Sequence, residues 1–276
     1  MKNWKYPALC VGLLLALLPV AARSAFSPRP LRDTGKSGKA STKPSPAPVV
    51  RPPKDAPAPF RVGETLNYRV AWASFATAAS LQVTVPEKRE LFGWSTWHFR
   101  AALHTQSPVR SLFTIDDQFD SYADAHIFDT RRYESYQNEL GRKENREVNF
   151  MTVGQKPWGQ GPDVVVLPGT HDPISALYAL RGVDWRQTPE FRAPVYDGHD
   201  VYQLVAHLDA KSDMVSVAAG TFSASRVGVK LLQKNSQAPE ITFEVWLAND
   251  AARTPVQFQA RLPFGSIRAE LVPGGK

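Results

Sequence analysis

Apolar and polar residues alternate with a period of two through most of the chain after residue 60. Leu66, Tyr68, Val70 and Trp72 fall on one side of an extended segment, and Asn67, Arg69, Ala71 and Ala73 on the other. The alternation recurs in Ala79/Leu81/Val83/Val85, Trp97/Phe99/Ala101/Leu103, Ile241/Phe243/Val245/Leu247, Val256/Phe258/Ala260/Leu262 and Ile267/Ala269/Leu271. Successive side chains of a strand project to opposite faces, so this pattern predicts antiparallel sheet with one packed and one wet face. Strands are expected at 66–73 and 76–86, joined by a bend at Ser74-Phe75, then at 96–104, 109–115, 131–137, 146–152 and 163–167. After one helix they resume at 191–197, 200–207, 213–218, 221–232, 240–248, 255–262 and 265–272. Phe92-Gly93, Asp197-Gly198, Gln237-Ala238-Pro239 and Pro263-Phe264-Gly265 supply turns between them, and 156–162 reads as a loop.

The helix is predicted over residues 172–181. Asp172 can accept the unpaired N–H groups of its first turn, and Pro173 suits the first helical position, where no donor is needed. Gly182 is placed to end it in a left-handed conformation. Ile174, Leu177, Tyr178 and Arg181 share one side, so the helix should pack on the sheet or close one end of it. Short links between sequential strands imply a meander, and about a dozen strands in one sheet must curl or close to hide their edges. The expected fold is therefore mostly β, a single strongly curved antiparallel sheet or barrel with one short helix near residues 172–181. A two-sheet sandwich is the alternative.

Residues 1–24 read as a signal peptide: Lys2 and Lys5 precede an apolar run from Ala8 to Ala22, and cleavage can fall after Ala22 or Ser24. A retained anchor is the alternative, although the run is shorter than the roughly 20 apolar residues that span a bilayer. Residues 25–59 form a linker with nine prolines, too polar to bury a core, and residues 60–273 form a single β domain. Cys10 is the only cysteine and lies in the signal segment, so disulfides, zinc–thiolate sites and a cysteine nucleophile are excluded from the exported chain. The net charge of +7 is misleading, because residues 1–59 hold ten bases against two acids, leaving 23 bases and 24 acids beyond. A neutral folded part lacks the basic footprint of a nucleic-acid-binding domain, so no nucleic acid is expected as partner.

Catalytic and metal signals are weak. Asp116, Asp117, Asp120, Asp124, Asp129 and His126 crowd one segment, but without the spacing of a calcium loop they read as a solvated strand end or turn. His199 and His207, on one face of a strand about 26 Å apart at ~3.3 Å per residue, cannot share an ion. Ser175 lacks a strained Gly-x-Ser-x-Gly elbow and is expected to bond a carbonyl within its helix. No cofactor motif is present. Trp72 and Trp97 read as core, whereas Trp246 falls on a nominally polar face, Trp158 in a loop and Trp185 after the helix.

Three segments resemble a bacterial exported family described as domain of unknown function 3108. They are Val62-Gly63-Glu64-Thr65-Leu66-Asn67-Tyr68, Asp172 to Arg181, and Trp246-Leu247 with Asn249-Asp250 and Arg253-Thr254-Pro255-Val256. The resemblance runs from about Phe60 to Leu271 and implies a mostly antiparallel β protein of the cell envelope, with no activity or catalytic residue to carry over. The first expectation is a non-enzymatic periplasmic binding protein. A curved sheet partly plugged by the helix would hold a lipid-like or other hydrophobic or amphiphilic small molecule, with Tyr68, Trp72, Tyr178 and Arg181 as wall residues and Arg181 facing an anionic head group. The second is an envelope scaffold engaging other envelope proteins or the cell wall, and the basic linker suits peripheral membrane contact. The third is a cell-wall polymer hydrolase using carboxylates that sequence does not single out.

Overall fold

A computed structural model describes residues 55–150, 158–159, 169–198, 200–233, 241–262 and 265–274. Among them are β1 (Thr65–Trp72), β2 (Phe75–Leu91), β3 (Trp94–Thr105), β4 (Asp116–Asp124), β5 (Thr130–Glu139), β6 (Arg142–Asn149) and β7 (Trp158–Gly159). Helix α1 (Pro173–Gly182) follows, then β8 (Glu190–Tyr196), β9 (Val201–Val217), β10 (Gly220–Gln233), β11 (Ile241–Ala248), β12 (Pro255–Leu262) and β13 (Gly265–Val272). All lie in one sheet, ordered from β7 down to β1 and then from β13 down to β8, so two meanders join where β1 pairs antiparallel with β13. The sandwich alternative is thereby removed.

The sheet curls until its two sides meet. Thr130 N donates to Thr170 O, His171 N to Pro194 O and Tyr196 N to His171 O, so residues 170–171 strap β5 to β8. Phe150 packs edge-on against Tyr196 with ring centroids 5.6 Å apart, and the Arg146 guanidinium donates to Gly198 O. The chain passes from one edge strand to the other through α1, which lies inside the curl. Phe99 of β3 stacks on Tyr178 at 3.7 Å, and Phe60 meets Tyr178, Phe99 and Trp97 edge-on. Seven residues of the ten-residue helix are buried, which fits an element surrounded by core rather than one lying on it.

Both ends of a buried helix leave backbone groups that need partners. At the N-terminus the Asp172 carboxylate accepts Ile174 N, Ser175 N, Ser121 Oγ and Thr130 Oγ1 at 2.5–3.0 Å, and Ser175 Oγ accepts Asp172 N. At the C-terminus Arg253 Nη1 donates to the carbonyls of Arg181, Gly182 and Val183 at 2.8–3.0 Å, a cation placed where the helix dipole is negative. Arg181 is fully buried and forms a fork with both oxygens of Glu64, at 2.6 and 2.9 Å, beneath the Phe60 and Tyr178 rings.

Several sequence expectations change. Residues 109–115 are not a strand: Val109–Ser111 make a single 3-10 turn that reverses the chain, and Arg110 grips Asp116 with two hydrogen bonds. The Asp-rich stretch is strand β4 rather than a solvated strand end or turn, with Asp117, Asp120 and Asp124 all buried. The ranges 200–207 and 213–218 belong to one long strand, β9, whose register slips opposite Ala224–Val227 of β10. Gly182 is the last residue of α1 and not a left-handed stop; a Cβ there would come 3.3 Å from the Phe128 ring, so glycine permits close packing. Trp158–Gly159 pair with β6, whereas the strand expected at 163–167 lies outside the described residues. Trp246 is buried because Asp213 and Arg226 cover that face, and its indole N–H donates to Asp213 at 3.3 Å.

Breaking the buried ion pair from one side should be costly. Arg181→Met is expected to lower stability by about 3–5 kcal/mol by stranding the Glu64 carboxylate, and adding Glu64→Leu should recover most of it. Denaturant midpoints of the single and double variants check this. Additive losses would contradict it.

Candidate binding cleft

The C-terminal end of α1 borders a cleft of about 340 Å³ between the loop after the helix, β9, β10 and the turn from β11 to β12. The strand registers put this turn at the same end of the sheet as the start of β1. Trp185, Leu208, Leu247 and Ala248 supply apolar lining. Trp185 is fixed because its indole N–H donates to Leu180 O at 3.0 Å. The opposite wall is stitched by Asn249, whose amide donates to Lys211 O and Ser223 Oγ while its oxygen accepts from Ser225 Oγ.

Charge in the cleft is unevenly committed. Arg253 is spent on the helix carbonyls, and Asp250 accepts Thr254 N and Oγ1. Asp184 is held below the usual carboxylate range, first by the Arg186 backbone N–H and then by its guanidinium. Lys211 has no acidic partner among the described residues and stands on the rim. The apolar patch is thus bordered by the cations Arg186, Lys211 and Arg253 and by the carboxylates Asp184 and Asp250.

The four residues expected to wall a ligand site divide. Tyr68, Tyr178 and Arg181 converge in the core behind the β11–β12 turn. Tyr68 donates to Pro255 O at 2.7 Å, and Arg181 reaches Ala252 O at 3.0 Å as well as Glu64. Burial raises the pKa of both phenols. Arg181 does not face an open head-group site, since Glu64 holds it. Trp72 is apart from them, at the far end of β1, stacked on Phe75 and edge-on to Phe113. Lys211, Asn249 and Arg253 were not singled out as site residues by sequence; Arg253 and Asn249 appear only within the family resemblance.

Other clusters fit structural roles. Ser175 Oγ lies 3.5 Å from His171 Nδ1, but it also donates to Asp172 O, as expected of a helical serine, and all three residues are buried. The Asp172 carboxylate, taken by four donors, caps the helix and does not orient a base. No group of His, Cys, Asp or Glu among the described residues suits a metal ion. His207 pairs with Asp209 at 2.8 Å, and His199 lies outside the described residues. Burial pushes the Asp117 and Asp129 carboxyls up to about 6 and Glu139 up to about 7, while Asp117 is closed to solvent and donates no access to substrate.

The family model described as "Protein of unknown function (DUF3108)" matches residues 67–272. No curated protein matches the chain. Among solved structures, a β-barrel-like protein of domain of unknown function DUF1849 from Brucella abortus aligns with a TM-score of 0.51 at 13% identity. That alignment covers 75% of this chain and 96% of the other, a likeness of fold. A candidate lipoprotein from Parabacteroides distasonis aligns at TM-score 0.38 and 10% identity, covering 79% and 98% of the two chains. A candidate exported protein with a YmcC-like fold from Bacteroides fragilis gives 0.37 and 9%, covering 81% and 100%.

The buried titrating groups predict opposing pH trends. Asp117, Asp129 and Glu139 have folded pKa values raised above their unfolded ones, so their contribution is full below about pH 4 and is lost as pH rises through 6–7. Burial lowers His171 to about 4, so its contribution is full above its unfolded value of about 6.5 and is lost as pH falls toward 4. Asp117→Asn should therefore stabilise the protein by about 1–2 kcal/mol at about pH 8 and change little near pH 4. Thermal melts at the two pH values test it; an equal shift at both would oppose it.

Proposed function

The chain belongs to the DUF3108 family, and we propose that it is an exported, non-enzymatic binding protein of the periplasm. It holds a small lipid-like amphiphile with an acidic head in the cleft at the end of α1. Export rests on the charged start, apolar run and small residues of positions 1–24. The observation that carries the binding assignment is the contrast between a filled interior and this open cleft. Tyr178, Phe99 and Phe60 occupy the space inside the curl, so the oily wall formed by Tyr68, Tyr178 and Arg181 supports the site from behind. The cleft is at the small end of the ~300–1,000 Å³ range of ligand pockets. Trp185 and Leu247 supply the apolar seat, and Lys211 meets the acidic head.

Anilinonaphthalene sulfonate, an aromatic body with one anionic group, is a suitable probe. It should bind the mature chain, and Lys211→Glu should weaken it by about tenfold, equivalent to ~1.4 kcal/mol. Leu208→Arg, which puts a cation in the apolar seat, should weaken an uncharged naphthalene analogue, while Tyr68→Phe should leave both probes unaffected. Organic extracts of protein purified from periplasm should contain an acidic amphiphile by mass spectrometry. Equal dye binding by the Lys211 and Leu208 variants, or a ligand-free extract, would overturn the assignment.

A further inference from the structure

The β2–β3 hairpin ends in an arrangement that local backbone preferences oppose. Phe92 and Gly93 have φ of 54° and 80°, the two left-handed positions of a tight hairpin turn. Such turns favour Asn or Asp followed by Gly, because a short polar side chain tolerates the first position. Here a phenylalanine occupies it and is 42% exposed. Trp94 (37% exposed) follows on the same hairpin, and Ile127 (51%) stands on the adjoining β4–β5 turn. Ala125 N donates to Ser95 O, which ties the two turns together. Arg131 lies over the Trp94 ring at 4.4 Å and pairs with Asp124, which in turn accepts Ile127 N.

We propose that this end of the barrel docks on an anionic lipid bilayer, with Phe92, Trp94 and Ile127 entering the interfacial region. Aromatic and aliphatic tips beside Arg and Lys suit that boundary, since the rings leave water while the cations stay among head groups. The chain's own leader supports this occupant. Residues 55–56 run along the same end, where Asp55 pairs with Lys88 and Ala56 N donates to Ala125 O. Residues 25–54, joined in sequence to Asp55 at this end, carry seven bases and one acid. Clustered Lys and Arg next to an apolar element attract acidic lipids.

A bulky residue in a tight turn is not itself diagnostic. Leu140-Gly141 repeats the backbone conformation at the opposite end of the barrel, where Leu140 and Leu112 are exposed. That end has no exposed tryptophan among the described residues, and Asp55, to which the basic segment is joined, lies at the other end, so it provides an internal control.

Sedimentation with sucrose-loaded vesicles tests the proposal on the mature chain from residue 25. Vesicles of phosphatidylcholine with one-third phosphatidylglycerol should bring the protein down at low salt, and pure phosphatidylcholine should bring down much less. Phe92→Ser/Trp94→Ser/Ile127→Ser should cut binding by about tenfold, whereas Leu112→Ser/Leu140→Ser should not. Phe92→Asn guards against misfolding: asparagine favours this turn, so melting temperature should hold or rise while vesicle binding falls. Removing residues 25–54 should abolish the preference for acidic lipid. Undiminished binding by the triple variant, or no sedimentation with acidic vesicles, overturns the proposal. Binding lost only on removal of residues 25–54 overturns it too, by giving the basic segment the whole effect. Dye binding in the cleft is scored separately and is expected to survive in every tip variant.

Discussion

The 13 strands of the described residues curl around more volume than the side chains of their own wall can fill, and α1 supplies the missing matter. That requirement organises the rest of the molecule. A helix placed in a dry interior brings unpaired N–H groups at one end and unpaired carbonyls at the other, so both ends must be answered by the wall. Ser121 and Thr130, polar residues on the inner face of β4 and β5, are there for Asp172. Arg253, held at φ 45° in the β11–β12 turn, answers the other end. Glu64, just before β1, meets Arg181, so the helix is tied to the head of the first strand as well as to the late meander.

This seating decides where a ligand can go. An unplugged curl would offer its interior, and the inward stripe of Tyr68, Val70 and Trp72 would be its lining. With Tyr178 stacked on Phe99, the stripe becomes core, and open space is displaced to the place where the helix stops. The buried Arg181–Glu64 pair then has a secondary consequence. Arg181 also bonds Ala252 O, and Arg253 bonds three helix carbonyls, so the β11–β12 turn that walls the cleft is fastened to the plug. Four hydrogen bonds thus tie that side of the cleft to the helix.

The strands were legible because alternation survives wherever one face is packed. The helix was legible because Asp172-Pro173 is a local signal that no tertiary context has to supply. What failed were segments whose burial comes from partners distant in sequence. Asp117, Asp120 and Asp124 look solvated in a row, yet Asp117 accepts Asn138 N and Asp120 accepts from His98 and Arg100. A strand carrying paired acids has no apolar alternation to reveal it. The cleft was illegible for a related reason: Trp185, Lys211 and Asn249 come from three separate stretches, brought together by the register of β9, β10 and β11. Gly182 misled because glycine at a helix end has two uses, and close approach to Phe128 leaves no mark in the local sequence.

The outer wall explains why recognition should concentrate at the ends of the barrel. A single sheet without a covering layer exposes its outer face, and here that face carries opposite charges paired along and across the strands. Arg100 meets Asp120, Arg132 meets Glu134 and Glu147, Arg226 meets Asp213 and Glu244, and Glu270 lies between Arg69 and Arg268. His98 stacks on Tyr122, with Arg89 over the same ring, which lets large side chains shield one another from water. Asp120, Glu134 and Glu270 are buried beneath half-exposed arginines, and this pairing balances charge along the wall. A neutral, self-satisfied flank offers little to an anion or an apolar surface. Lys211, beside the β11–β12 turn, and the exposed apolar tips Phe92, Trp94 and Ile127 lie near the ends of the barrel, where the ladder of paired charges runs out.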